Sequence, residues 1–165
     1  MHPARLSFIA IALAFAFLPA IARANHFTIT LDVSDGTHKQ TGKTESEPPK
    51  AGEIVVRPVM ETKAGAKCTA KFKLTCASKE LLKDVLVHFY VVKIGKPGQN
   101  PPPLEPKDVV IETAQTMDFA EGTTTSAELE FTPDRAGIYL VRIETQGTAE
   151  AKGHEHYAAI DLVVK

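Results

Sequence analysis

Between Cys68 and Cys76 the chain reads Cys-Thr-Ala-Lys-Phe-Lys-Leu-Thr-Cys, apolar or small at every even position and polar at every odd one. That period of two buries one face of an extended strand and wets the other, and an α-helix cannot satisfy it. The same alternation runs through His26 to Val33, where Phe27, Ile29, Leu31 and Val33 oppose Thr28, Thr30 and Asp32. It returns at Thr125 to Thr132, with Ala127, Leu129 and Phe131 facing in, at Ile138 to Thr145, and at His154 to Lys165. No amphipathic helical pattern competes with it, and Gly- and Pro-containing turn signals separate the strands. The expectation is an all-β chain: one antiparallel sandwich of about seven to nine strands, with no internal repeat.

Two cysteines in an exported chain would ordinarily suggest a disulfide. Here both lie on the inward face of one strand, about 26 Å apart at roughly 3.3 Å per residue. A disulfide brings Cα atoms within about 7 Å, so a continuous strand keeps Cys68 and Cys76 from pairing with each other. They read as small buried hydrophobes. A break in the strand, or a link to another chain, is the alternative.

The first 24 residues have the make-up of a secretory signal. Arg5 is followed by the apolar run Leu6 to Leu18, and Ala22-Arg23-Ala24 offers the small-x-small site that a signal peptidase accepts. The run is too short for a membrane span of about 20 residues. The expected mature chain is 25–165, secreted or periplasmic, and loss of Arg5 and Arg23 moves the formal charge from -1 to -3. A mildly acidic chain with interspersed signs lacks the basic footprint of a nucleic-acid or anionic-membrane binder. Trp is absent, which argues against a stacking platform for carbohydrate.

Two stretches stand apart from the strands. Residues 34–52 are polar, carry Pro48-Pro49 and no large apolar side chain, and read as a mobile loop that buries too little to offset its ordering entropy. Residues 95–107 hold Pro97, Pro101, Pro102, Pro103 and Pro106 and read as a stiff surface loop of extended polyproline character. A short strand over Glu53 to Met60, with Pro58 in it, belongs at a sheet edge.

Asp84 to Ile94 is apolar on both faces: Val85, Val87, Phe89 and Val91 on one, Leu86, His88, Tyr90 and Val92 on the other. Such a strand is central, or its outer face meets a partner. The second option makes Leu86, His88, Tyr90 and Val92 a candidate contact surface for another exported protein.

The segment Phe131-Thr132-Pro133-Asp134-Arg135-Ala136-Gly137-Ile138-Tyr139-Leu140-Val141 resembles the corner at which immunoglobulin-like domains enter their penultimate strand. The resemblance is to the broad bacterial immunoglobulin-like or fibronectin-like class, over about Phe27 to Lys165. It implies a structural corner of Asp134, Gly137 and Tyr139, in which the tyrosine hydroxyl bonds back to the main chain. Asp134 stands one residue further from Tyr139 than in antibody domains, and Val141 occupies the place of the second bridging cysteine. A fold of this kind leaves the function open.

Ligand-type residues gather only at His154-Glu155-His156. Two histidines at i and i+2 stand about 6.5–7 Å apart along a strand, close enough to share copper or zinc if His26, His88, Met60, Met117 or Glu155 adds a third ligand. Motifs for a nucleophile elbow, a zinc-protease helix or a phosphate loop are absent from the sequence. The sequence thus points to a non-enzymatic binding or accessory module acting by protein–protein contact, without a cofactor. The alternative is a periplasmic copper carrier using His154 and His156.

Overall fold

The computed structural model describes residues 26–46, 54–146 and 156–165. Ten strands follow in order: β1 Phe27–Ser34, β2 Lys39–Lys43, β3 Glu45–Ser46, β4 Val59–Thr62, β5 Cys68–Cys76, β6 Leu82–Ile94, β7 Val109–Phe119, β8 Thr124–Phe131, β9 Gly137–Gln146 and β10 His156–Val164. They form two sheets, ordered β2-β1-β5-β8 and β3-β10-β9-β6-β7, with β4 joined in parallel to β10. All other pairings are antiparallel. This is an immunoglobulin-like sandwich in which β5 and β8 take the places of strands B and E, and β6, β9 and β10 those of C, F and G.

The core lies between the sheets and is built by the alternation. Phe27, Ile29, Leu31 and Val33 of β1, together with Cys68, Ala70, Phe72, Leu74 and Cys76 of β5, meet Val85, Val87, Phe89 and Val91 of β6. Val141 and Ile143 of β9 and Ala158, Ile160, Leu162 and Val164 of β10 complete it. Each fully buried side chain of this size contributes about 1.5–3 kcal/mol relative to exposure. Both cysteines are free and buried. Burial pushes the Cys68 thiol above its ordinary pKa, against the opposing influence of the Thr62 hydroxyl.

At the expected corner, the Tyr139 hydroxyl donates to the Arg135 carbonyl at 2.8 Å. Asp134 stays exposed beside Arg135, and Gly137 takes φ 149° with its α-carbon against the Lys93 side chain.

Several boundaries differ from expectation for one reason, hydrogen bonding by backbone that has no apolar side chains to announce it. Residues 34–46 of the expected mobile loop carry β2, which pairs with β1 from Ser34↔Lys39 to Thr30↔Lys43, and β3, which pairs with β10. Residues 47–53 lie outside the described residues. Between β2 and β3 the chain crosses from one sheet to the other. Thr44 bridges that step by accepting from the Ile29 amide at 2.5 Å and donating to its carbonyl at 3.0 Å. Gly42 permits the crossing, since a Cβ there would stand 2.8 Å from the Ala159 carbonyl oxygen. Strand β7 runs unbroken from Val109 to Phe119 and follows β6 through two register shifts.

Candidate functional site

The outer face of the larger sheet is where polar chemistry gathers. Outward positions of β6, β9 and β10 include Tyr90, Val92 and Ile94, then Leu140, then Tyr157 and Ala159, which form a second buried cluster with Leu104, Val109 and Ile138 packed against it. Leu104 belongs to the connection between β6 and β7, so the proline-rich segment folds down over the sheet and covers it. The expected surface loop is a roof.

Two buried groups hold that roof. Asp161 Oδ2 accepts the Gly98 amide at 2.6 Å, and Asp161 Oδ1 lies 3.3 Å from Arg57 Nη1, with both side chains at most 1% exposed. Arg57 Nη1 also donates to the Gln99 carbonyl at 2.9 Å, and Val55 donates its amide to the Gly98 carbonyl at 3.0 Å. A left-handed glycine is required at 98, where φ is 73° and a Cβ would fall 2.5 Å from the Val55 carbonyl oxygen.

Beneath the roof lies an open cleft of about 420 Å³, lined by His88, Tyr90, Arg142, Glu144 and Gln146 below and by Asn100 to Leu104 above. Register assembles its floor: His88 pairs with Glu144 and Tyr90 with Arg142 across β6 and β9, and Tyr90 pairs with Glu112 across β6 and β7. The Glu144 carboxylate is the hub. It accepts from Arg142 Nε at 2.5 Å, from the Tyr90 hydroxyl at 3.3 Å and from Gln146 Nε2 at 3.2 Å, and His88 Nδ1 lies 3.2 Å away. The other ring nitrogen of His88 lies 3.0 Å from Glu112 Oε1. Glu112 is the open member, its side chain 46% exposed while that of Glu144 is 6% exposed.

The Arg142 guanidinium sits 3.9 Å over the ring of Tyr157, and the Tyr157 hydroxyl donates to Glu45 at 2.7 Å. Burial, reinforced by the Glu45 carboxylate, pushes the Tyr157 phenol far above its ordinary pKa, so it stays a donor. A buried charge cluster of this kind is tolerated only because nearly every member has an oppositely charged or hydrogen-bonding neighbour.

This geometry corrects the reading of β6 as a docking surface. His88, Tyr90 and Val92 are 9%, 2% and 0% exposed, and Leu86 is half-buried. The apolar outer face exists because the chain's own loop covers it, and an accessory module acting through that face is set aside. Of the two histidines of the copper-carrier reading, the structure describes His156. His156 shares the inner face of β10 with Ala158, as alternation requires. However, its Nε2 accepts the His26 amide at 3.2 Å, and its ring packs 5.9 Å from that of Phe27. That hydrogen bond engages the Nε2 lone pair with the main chain. His154 lies outside the described residues, and among the described residues no group of three or more His, Cys, Asp or Glu side chains could hold a metal ion. Of the other expected ligands, Met60 is buried in the core, and His88 belongs to the carboxylate cluster.

The sequence reading found His88 and Tyr90 and missed Arg142, Glu144, Glu112 and Asp161. A signal was present. Arg142 interrupts the apolar run Leu140 to Ile143 and Glu144 ends it, a spacing of two that places both on the face opposite Val141 and Ile143. Charges inside a central strand need partners on the neighbouring strands.

No family model matches the chain, and no curated protein matches its sequence. Solved structures do resemble it. The C-terminal domain of wzt aligns at a TM-score of 0.41 and 8% identity, over 74% of this chain and 78% of that one. A polysaccharide monooxygenase, CBM33, aligns at 0.39 and 13%, over 73% and 79%. A family 123 glycoside hydrolase from Clostridium perfringens aligns at 0.41 and 11%, and the chain spans 27% of its length. Likenesses of this degree concern the fold alone, and at that level the chain is similar to immunoglobulin-like β-sandwich domains.

Proposed function

We propose that the chain is an exported β-sandwich domain that holds a small polar molecule in the cleft between the proline-rich roof and the outer sheet face. Export is motivated by the signal-like residues 1–24. Among the described residues, no helix is long and apolar enough to cross a membrane. One observation carries the binding reading: the Glu144-centred network lies at the floor of a cleft of about 420 Å³ instead of being sealed in the core. Cavities of roughly 300–1,000 Å³ with a few convergent polar groups are the usual form of small-molecule sites. The network fixes side chains from three strands, so the cleft needs little rearrangement to accept a ligand.

The test is an amide-resolved NMR titration of the ¹⁵N-labelled protein with n-butylammonium, D-glucose and acetate in turn. Saturable shifts at Tyr90, Leu104 and Gln146 are expected for one of them. Those shifts should vanish in Gln146→Trp, whose indole would fill the mouth at an exposed position. If no probe moves a cleft amide, the cleft is not a site and the reading falls.

A further inference from the structure

Resting on the cleft reading, we infer that its occupant is a small organic cation, a primary ammonium on a short apolar chain. The roof carries three consecutive prolines, Pro101 to Pro103, which have no N–H and so present only carbonyl acceptors and ring methylenes. The donors of the floor are turned inward. Arg142 Nε, the Tyr90 hydroxyl and Gln146 Nε2 all point at Glu144, and His88 is flanked by Glu144 and Glu112. Arg142 is further stacked on Tyr157 with its side chain only 2% exposed. Asn100 is the one lining side-chain amide on the roof side.

Charge follows the same direction. Arg142 and Glu144 offset one another, and the Glu112 carboxylate, 3.0 Å from the cleft residue His88, is half open to solvent. An anion entering there would meet acceptors and a carboxylate. A neutral polyol would find few donors to answer its own oxygens. An ammonium group would meet Glu112 and the proline carbonyls, with its alkyl chain along the proline ring methylenes of the roof.

The experiment compares n-butylammonium, D-glucose and acetate by calorimetry and by the NMR shifts of Tyr90, Leu104 and Gln146, in the protein and in Glu112→Gln. Butylammonium should bind alone of the three, and Glu112→Gln should weaken it about tenfold, the loss expected for a charge-assisted contact. The melting temperature of the variant should stay within a degree or two of the parent, since Glu112 is half exposed. Binding of glucose or acetate in the cleft, without butylammonium, would overturn the cation assignment and leave the cleft reading standing. Silence from all three would overturn both. Unchanged butylammonium affinity in Glu112→Gln would overturn the assignment of the carboxylate that recognises it.

Discussion

Gly98 and Asp161 are joined by a 2.6 Å hydrogen bond across 63 positions of sequence, and that bond ties the proline-rich roof to the last strand. The same carboxylate faces Arg57, so one side chain holds both the loop and the segment leading into β4. Removing one partner of a buried pair strands the other charge, at a cost of about 3–5 kcal/mol. Asp161→Ala should therefore lower the urea midpoint by that equivalent, and amide exchange over residues 95–107 should rise more than exchange in β5. A loss below about 1 kcal/mol, the level of an exposed pair, would show that the latch holds nothing.

Tyr90 discriminates between a covered face and an open one. At 2% exposure, with its hydroxyl on Glu144, it belongs to the second cluster of the fold. Tyr90→Phe removes a single hydrogen bond and should cost about 1 kcal/mol. Tyr90→Asp places an uncompensated charge near Glu144 and Glu112 and should cost more than about 4 kcal/mol, enough to unfold a marginal domain. A Tyr90→Asp protein with the parent's melting temperature would return that face to the surface.

Asp35 sets an acid limb. Burial alone would raise its pKa from the ordinary 3.8, but the amides of His38 and Thr37 and the Thr62 hydroxyl, at 2.7, 2.9 and 2.8 Å, outweigh that and hold it well below. A depressed folded pKa means that the charged carboxylate stabilises the fold fully above the unfolded value. That contribution is lost as pH falls from there through the folded value. Urea midpoints of Asp35→Asn should lie furthest below the parent near neutrality, and the gap should narrow steadily from about pH 4 down to pH 2. A gap constant over that range would mean that the charge contributes nothing.

The strands of the sandwich were legible because burial leaves a local record. Cys68 to Cys76 alternates, and β5 has those bounds; the same periodicity places Phe27, Phe131 and Ile160 in the core. The separation of the two sulfurs followed from the rise of a strand alone. Residues 39–46 left no such record. An edge strand pairs through backbone groups that every residue carries, so a polar stretch and a loop look alike in sequence.

What the sequence determined by itself is the β character, the inward face of each long strand and the apolar outer face of β6. Tertiary structure decided what covers that face. Whether Tyr90 and Val92 meet solvent, a partner or the chain's own residues 95–107 depends on a latch between Asp161, Arg57 and Gly98, three positions remote in sequence. It also depends on the register that brings Arg142 and Glu144 opposite Tyr90 and His88. Periodicity fixes which way a side chain points. Only the packing of distant segments fixes what it finds there.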